Sequence, residues 1–141
     1  MASPADLEEI FERHIGREGP LLPILHDVQS AYGCVSEDVV IDIAQRLNLT
    51  RAEVHGVVSF YHDFKRQRET QPEVHLCRAE ACKARGIEGL LPAAEAAARG
   101  RVKLSAVYCL GLCSVGPSAR IGGRIYARLD EAGLVRLIEN A

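Results

Sequence analysis

Hydrophobic residues in the first half of the chain recur every three or four positions, which is the spacing of one helix face. This pattern predicts four helices. Their core-side positions are Leu7, Ile10, Phe11, His14 and Ile15; then Leu21, Leu22, Ile24, Leu25, Val28 and Tyr32; then Val39, Val40, Ile43, Ala44 and Leu47; and last Val54, Val57, Val58 and Tyr61. Residues 1–65 are therefore predicted to form a small helical bundle.

Residues that favour helix ends stand at the expected boundaries of these helices. Ser3 and Ser36 precede the first and third helices, and Thr50 with Glu53 has the capping-box spacing before the fourth. Gly33 follows the second helix, where glycine takes up the left-handed conformation at little cost. The helix boundaries are thus predicted together with the helices.

The pattern changes after the polar segment 62–73, which we interpret as the boundary between two domains. Short apolar or alternating runs then predict strands in "VHLC", "VKLSAVYC" and "ARIGGRIYARL". Gly122 and Gly123 between two such runs predict a two-residue hairpin with positive φ at both positions. Asp130 is expected to cap a final helix whose buried side carries Leu134, Val135, Leu137 and Ile138.

Residues 72–141 are therefore predicted to form an α/β layer, ordered strand, helix, strand, hairpin, helix, that resembles a thioredoxin-like unit. Gly86, Gly89 and Pro92 interrupt the expected crossover helix. Because proline removes a helix hydrogen bond and glycine weakens a helix, we expect this helix to be kinked or split.

Composition and charge narrow the classes of partner. The 141 residues carry a formal net charge of -2, which gives no basic surface for a nucleic acid. The N-terminus has no secretory signal pattern, and no window approaches the roughly 18 consecutive apolar residues of a membrane span. We therefore expect a cytoplasmic protein with no membrane insertion, in a compartment that keeps its thiols reduced.

Four of the five cysteines form two close pairs at predicted strand ends. Cys77 and Cys82 have four residues between them, Cys109 and Cys113 have three, and 26 residues separate the pairs. Two strand ends at one edge of a sheet would bring both pairs to a shared volume. Four thiolates gathered there repel one another unless a cation neutralises them, so the pattern predicts a metal centre.

The spacing of the pairs bears on which metal they hold. Structural zinc sites commonly have two residues between paired cysteines, and neither pair here does. Longer loops suit a 2Fe-2S cluster, which needs two thiolates on each iron and backbone N–H groups around its sulfurs. Spacing alone favours iron and sulfur, and it leaves a zinc-stabilised interaction module or disulfides as alternatives.

Longer stretches add a family resemblance. "LLPILHDVQSAYGCVSEDVVIDIAQRLNLTRAEVHGVVSFYHDF" resembles the helical N-terminal segment of the 24 kDa-type 2Fe-2S subunit of NADH dehydrogenases. "CRAEAC" and "CLGLCSVGPSARI" resemble the cluster loops of that family. Within the family, "SFYHDF" and "LCRAEAC" are most similar to the gamma subunit of soluble NAD-dependent formate dehydrogenase.

This resemblance implies a helical bundle followed by a thioredoxin-like 2Fe-2S ferredoxin domain. It implies one 2Fe-2S cluster with Cys77, Cys82, Cys109 and Cys113 as its ligands. The implied function is single-electron transfer in an oxidoreductase complex, beside a subunit that binds flavin (FMN) and NAD and with a further iron-sulfur or catalytic subunit as a candidate partner. Subunits of NADH-quinone oxidoreductase and NAD-reducing hydrogenase are the alternatives inside the family.

The remaining residues carry weaker expectations. Arg78 and Lys83 lie beside the first pair, where a positive charge favours the reduced cluster, although solvated surface charges are an equal interpretation. His75 is an alternative ligand on the same strand face as Cys77, and Pro117 stands where a thioredoxin-like fold often has a cis-proline. Cys34 is interpreted as a spare thiol.

No sequence motif indicates catalysis on this chain. A glycine-rich dinucleotide fingerprint, a phosphate loop and a Ser/His/Asp arrangement are all missing from the sequence. We therefore expect no catalytic residue and no substrate or NAD site here.

Overall fold

Residues 4–141 are described by a computed structural model, and they divide into two units. The N-terminal unit is Met1–Thr70 and the C-terminal unit is Gln71–Ala141. Ser3, the predicted first cap, lies outside the described residues.

The N-terminal unit contains the four predicted helices. They are α1 (Pro4–His14), α2 (Leu21–Tyr32), α3 (Glu37–Arg46) and α4 (Arg51–Phe60). Gly33 ends α2 with φ 74° and donates its N–H to Gln29, and Thr50 and Glu53 form the capping box at the start of α4. Ser36 occupies the N-cap position of α3 without a side-chain cap hydrogen bond. The predicted roles of Gly33 and of Thr50 with Glu53 at helix ends are confirmed.

The apolar faces of these helices form one core. Its buried members include Leu7, Ile10 and Phe11 from α1 and Ile24, Leu25 and Val28 from α2, together with Val39, Val40, Ile43, Ala44, Val54 and Val58 from the last two helices. The expectation that Ile15 belongs to this face is wrong, and so is that for Tyr61, which lies just past the end of α4 and is 42% exposed. Since α1 ends at His14, Ile15 leaves the helical stripe, and 79% of its surface is exposed.

The polar segment after α4 is tied to the N-terminal unit by hydrogen bonds. Val35 donates its amide to the carbonyl of Lys65 over 2.7 Å, and Arg68 donates its Nε–H to the carbonyl of Tyr32 over 2.7 Å. Lack of hydrophobic pattern in this segment therefore does not mean lack of contacts.

The C-terminal unit is a mixed sheet with helices. Its elements are β1 (Glu73–Cys77), α5 (Glu80–Ala84), α6 (Ile87–Ala98), β2 (Lys103–Val107), a 3₁₀ turn (Cys113–Val115), β3 (Ala119–Ile121), β4 (Arg124–Tyr126) and α7 (Glu131–Glu139). The strand order is β2-β1-β3-β4. β1 runs parallel to β2 and antiparallel to β3, which forms the hairpin with β4. The predicted order of elements is confirmed.

Side chains alternate across β1, as the strand period of two requires. Val74 and Leu76 lie in a core with residues of α6 and α7. Cys77 belongs instead to a second, smaller buried cluster with Cys82 and Ile87. This cluster lies where β1 gives way to α5.

Two local expectations change in the structure. The crossover is split, as expected, but the break falls at Gly86, which has φ 94° and separates α5 from α6, while Pro92 lies inside α6. The hairpin has its two-residue loop, but positive φ occurs at Gly122 alone, with φ 57°. Positive φ at the first turn position only is the pattern of a type II′ turn, so the expectation for Gly123 is wrong.

Candidate metal centre

The four paired cysteines lie at one edge of the sheet. Cys77 is the last residue of β1, and Cys82 lies on the short helix α5 that follows. In the parallel ladder Cys77 is opposite Val107, the last residue of β2, and Cys109 comes two residues later. Because β1 and β2 run in parallel, both loops that carry cysteines leave the sheet on the same side.

The second pair is exposed and close together. The sulfurs of Cys109 and Cys113 are 3.6 Å apart. Cys109 has φ 91°, in the region that disfavours residues with a Cβ, so this bend is strained. Gly111 in the same loop has φ 78° and donates its N–H to the Cys109 sulfur over 3.4 Å.

The first pair is buried. Cys77 and Cys82 are each 2% exposed. The backbone of Cys77 is held by its amide, which donates to the carbonyl of Ser118 over 3.0 Å. The sulfur of Cys82 lies 3.6 Å from the hydroxyl oxygen of the same Ser118.

Hydrogen bonds connect the two cysteine loops. Burial raises the pKa of Cys77, but hydrogen bonds to its sulfur outweigh burial and leave the pKa below the ordinary value for a thiol. The donors are the backbone amides of Ala79, Cys109 and Leu110 and the side chain of Cys82. Groups of both cysteine loops therefore favour the thiolate form of Cys77, as hydrogen-bond donors do in iron-sulfur sites.

In the exposed pair the thiol pKa is shifted upward rather than downward. The pKa of Cys113 is raised, first by its hydrogen bond to Cys109 and then by the negative charge of that thiolate and by burial. The charge of Cys82 raises it further. The thiolates of the two pairs therefore repel each other, and a bound cation would remove that penalty.

Gly116 leaves room for the Cys82 sulfur. A Cβ at this position would lie 3.0 Å from that sulfur and 3.3 Å from Cδ of Arg85. The next residue is Pro117, and the Gly116–Pro117 peptide bond is cis, which agrees with the hypothesis raised by the resemblance to thioredoxin-like folds. Arg85 donates its Nε–H to the carbonyl of Cys113 over 3.2 Å, so one side chain links α5 to the second cysteine loop.

The charges beside the first pair are largely compensated. Arg78 donates from Nη2 to both carboxylate oxygens of Glu88, at 3.0 and 2.8 Å. Lys83 lies 3.7 Å from a carboxylate oxygen of Glu80. These pairings favour the interpretation of Arg78 and Lys83 as solvated surface charges.

The other sequence candidates have different surroundings. His75 lies on β1 with its Nε2 3.7 Å from a carboxylate oxygen of Glu73. Cys34 is half-buried in the N-terminal unit as a free thiol. The importance of Gly116 and Ser118 was missed by sequence reasoning, since only the tertiary contact with Cys82 singles them out.

A mononuclear site requires three or four donors around one point. Across residues 4–141 there is no group of three or more cysteine, histidine or acidic side chains arranged to hold a single ion. The four thiols lie in two pairs, and a 2Fe-2S cluster takes two thiolates on each of its two irons.

Comparison with known proteins identifies the family. The family model described as thioredoxin-like 2Fe-2S ferredoxin matches residues 7–141. Together with the mixed four-stranded sheet, this match shows that the chain belongs to the thioredoxin-like 2Fe-2S ferredoxin family, and its cofactor is a 2Fe-2S cluster.

Curated relatives resemble the chain over most of their own length. The chain is 29% identical to a subunit of the NADH-quinone oxidoreductase of Aquifex aeolicus, over 96% of this chain and 92% of the relative. It is 24% identical to the HndA subunit of the NADP-reducing hydrogenase of Solidesulfovibrio fructosivorans, over 86% of this chain and 77% of the relative.

A solved structure shows the same fold. The crystal structure of an NAD+-reducing NiFe-hydrogenase in the air-oxidized state aligns with 85% of this chain, with a TM-score of 0.71 and 26% identity. The chain spans 22% of that hydrogenase chain.

Among residues 4–141, none of the helices is long and apolar enough to cross a membrane.

The donor set and the space around it fit a 2Fe-2S cluster. The chain offers four thiols in two pairs and the backbone N–H of Gly111 for Cys109. Gly116 has no Cβ, and a Cβ at this position would press on the Cys82 sulfur. These features match what an anionic cluster needs from its surroundings.

Proposed function

We propose that the chain is a single-electron carrier whose 2Fe-2S cluster is held by Cys77, Cys82, Cys109 and Cys113. The observation that carries this proposal is the convergence of the two cysteine loops at one edge of the sheet, where Cys77 ends β1 opposite the last residue of β2 and Arg85 donates to the carbonyl of Cys113. Bound there, the cluster supplies reversible one-electron exchange.

The two cysteine pairs of the proposed site differ in their exposure to solvent. The first pair is buried, so Cys77 and Cys82 are shielded from water. Cys109 and Cys113 are exposed, and the residue before them, Tyr108, is 73% exposed. The second loop therefore presents the site to the surface, as electron transfer to a neighbouring protein requires.

The electron partner in this proposal is a subunit that binds FMN and NAD in the same oxidoreductase complex. Relatives from NADH-quinone oxidoreductase and from NADP-reducing and NAD+-reducing hydrogenases support such a setting. A flavin exchanges hydride with NAD and passes electrons on singly, which explains why a one-electron carrier accompanies it.

The complex we propose is NAD-dependent formate dehydrogenase, with this chain as its gamma subunit. The resemblance of "SFYHDF" and "LCRAEAC" supports this choice over the quinone- and hydrogen-linked members of the family. A further iron-sulfur or catalytic subunit would then carry the chemistry of formate.

The test is to tag this chain in its native host, isolate the complex anaerobically and supply formate, hydrogen or NADH in separate assays. Formate-dependent reduction of NAD, with parallel bleaching of the cluster absorption, is the expected result. NAD reduction by hydrogen, or NADH oxidation by quinone without a formate response, would assign the chain to one of the other complexes.

A further inference from the structure

Ser118 stands apart from the other polar residues of the protein. Its exposure is 0%, and among the described side chains it is the one serine, threonine, amide or charged residue that is buried. A buried hydroxyl requires a hydrogen-bond partner, because it has given up its bonds to water. The hydrogen-bond partner of Ser118 therefore indicates the role of this hydroxyl.

The Ser118 hydroxyl oxygen lies 3.6 Å from the sulfur of Cys82. Either atom can donate while Cys82 is a thiol. A thiolate bound to iron has no proton to give, so the hydroxyl must then donate to the sulfur. The backbone carbonyl of Ser118 accepts the amide of Cys77, which fixes the residue at the end of β1.

We propose that Ser118 is a positioning residue that donates a hydrogen bond to the Cys82 thiolate and thereby raises the reduction potential of the site. This inference rests on the proposed function, since it takes Cys82 as a ligand. The cluster gains negative charge on reduction, so a donor at a ligand sulfur favours the reduced state more than the oxidised one.

Burial makes this weak donor more effective than the charged groups nearby. Arg78 and Lys83 face solvent and are paired with Glu88 and Glu80. Water and the paired carboxylates screen their effect on the site. The Ser118 hydroxyl acts in a low-dielectric interior, where hydrogen bonds are electrostatically stronger.

The experiment compares Ser118→Ala with Ser114→Ala in the complete chain. Ser114 lies in the second cysteine loop but is exposed, so it controls for loss of a hydroxyl near the site. The midpoint potential is measured by redox titration monitored by electron paramagnetic resonance, with iron content determined in parallel. We expect a downward shift in Ser118→Ala and no shift in Ser114→Ala.

A second pair of variants separates the hydroxyl from its packing. Ser118→Thr and Ser118→Val have the same shape and differ in the hydroxyl alone, so threonine should have the higher potential. If Ser118→Ala assembles no cluster, the comparison of Ser118→Thr with Ser118→Val is decisive. Equal midpoint potentials in these two variants would overturn the inference. Unfolding of the alanine and valine variants alike would also overturn it. Retention of iron by threonine but not by a folded valine variant would support it.

The outcome for Ser118 is distinguishable from that for the proposed function. If Cys82→Ala retains the full iron content and an unchanged spectrum, Cys82 is not a ligand and the proposed ligand set fails. If Cys82→Ala loses iron and Ser118→Ala has an unchanged potential, the ligand set stands and the inference about Ser118 alone is overturned.

Discussion

Gly116 and Cys82 are in such close contact that a Cβ on the glycine would lie 3.0 Å from the cysteine sulfur. The same Cβ would lie 3.7 Å from the Cα of Cys82, on the backbone of α5. The distance to this Cα is ordinary van der Waals contact, so a methyl group would press on the Cys82 sulfur and on Cδ of Arg85, and both side chains would have to shift. The space beside the sulfur depends on glycine, although the φ of this residue is not positive.

We expect Gly116→Ala to displace Cys82 and lower the iron content well below that of the unchanged protein. Iron per chain and the electron paramagnetic resonance signal of the reduced protein measure the effect. Gly123→Ala is the matched control, because no atom lies within 4 Å of its added Cβ. Full iron loading in Gly116→Ala would show that the contact with Cys82 is not needed.

Cysteine substitutions separate the proposed ligands from the spare thiol. Cys113→Ser replaces a soft thiolate by a poorer iron ligand in an exposed loop, so it should shift the spectrum and reduce cluster retention. Cys34→Ser should change neither, since Cys34 is not among the four proposed ligands. Visible absorption and iron content check both variants. The reverse pattern would contradict the assignment of ligands.

Much of the fold is predictable because it depends on local chemistry. The capping box of Thr50 and Glu53 and the left-handed Gly33 arise from neighbours in sequence, and both predictions are confirmed. Ile15 illustrates the limit. Its spacing fits the helical stripe, but α1 ends one residue earlier, and helix ends are poorly defined by periodicity.

The candidate site is likewise predictable from sequence in part, and the part that depends on tertiary contacts is not. The four cysteines are visible in sequence because two close pairs are rare and chemically specific. Ser118 and Gly116 are not visible, because their roles come from contacts with Cys82 across more than thirty positions of the chain. The compensation of Arg78 by Glu88 likewise depends on the placement of α6 beside the loop after β1.

Arg85 should stabilise the second cysteine loop. Arg85→Met keeps the aliphatic bulk but loses the Nε–H that donates to the carbonyl of Cys113. An exposed hydrogen bond of this kind contributes about 1 kcal/mol, or about a fivefold change in rate. We therefore expect cluster loss to chelator to be faster by about that factor, measured as the decay of visible absorption.

Arg78→Met provides the comparison for that experiment. Arg78 lies beside Cys77 but directs its guanidinium at Glu88 rather than at the second loop. Its substitution should leave the decay rate close to that of the unchanged protein. Equal acceleration in both variants would show that general charge, rather than the bond to Cys113, holds the cluster.

The capping box predicts a pH dependence of stability in the N-terminal unit. Hydrogen bonds from the backbone amide and then the hydroxyl of Thr50 hold the pKa of Glu53 below its usual value. A carboxylate with a lowered pKa stabilises the folded state above its unfolded pKa, about 4.3, and this contribution is lost as pH falls through the folded pKa.

Glu53→Gln removes that ionisation while keeping a side chain of similar shape. At neutral pH the variant should unfold at a lower temperature than the unchanged protein, and the gap should narrow as pH falls below about 4. Thermal unfolding followed by circular dichroism checks this. A gap that is constant across the acid range would show that the charge of Glu53 does not contribute.

The proposal on which the others depend is that Cys77, Cys82, Cys109 and Cys113 hold a one-electron centre. It is tested by purifying the complete chain anaerobically, determining its iron and zinc, and recording its electron paramagnetic resonance spectrum before and after dithionite. We expect about two irons per chain and a rhombic spin-one-half signal that appears on reduction. A colourless protein that contains one zinc and gives no signal would contradict the proposal.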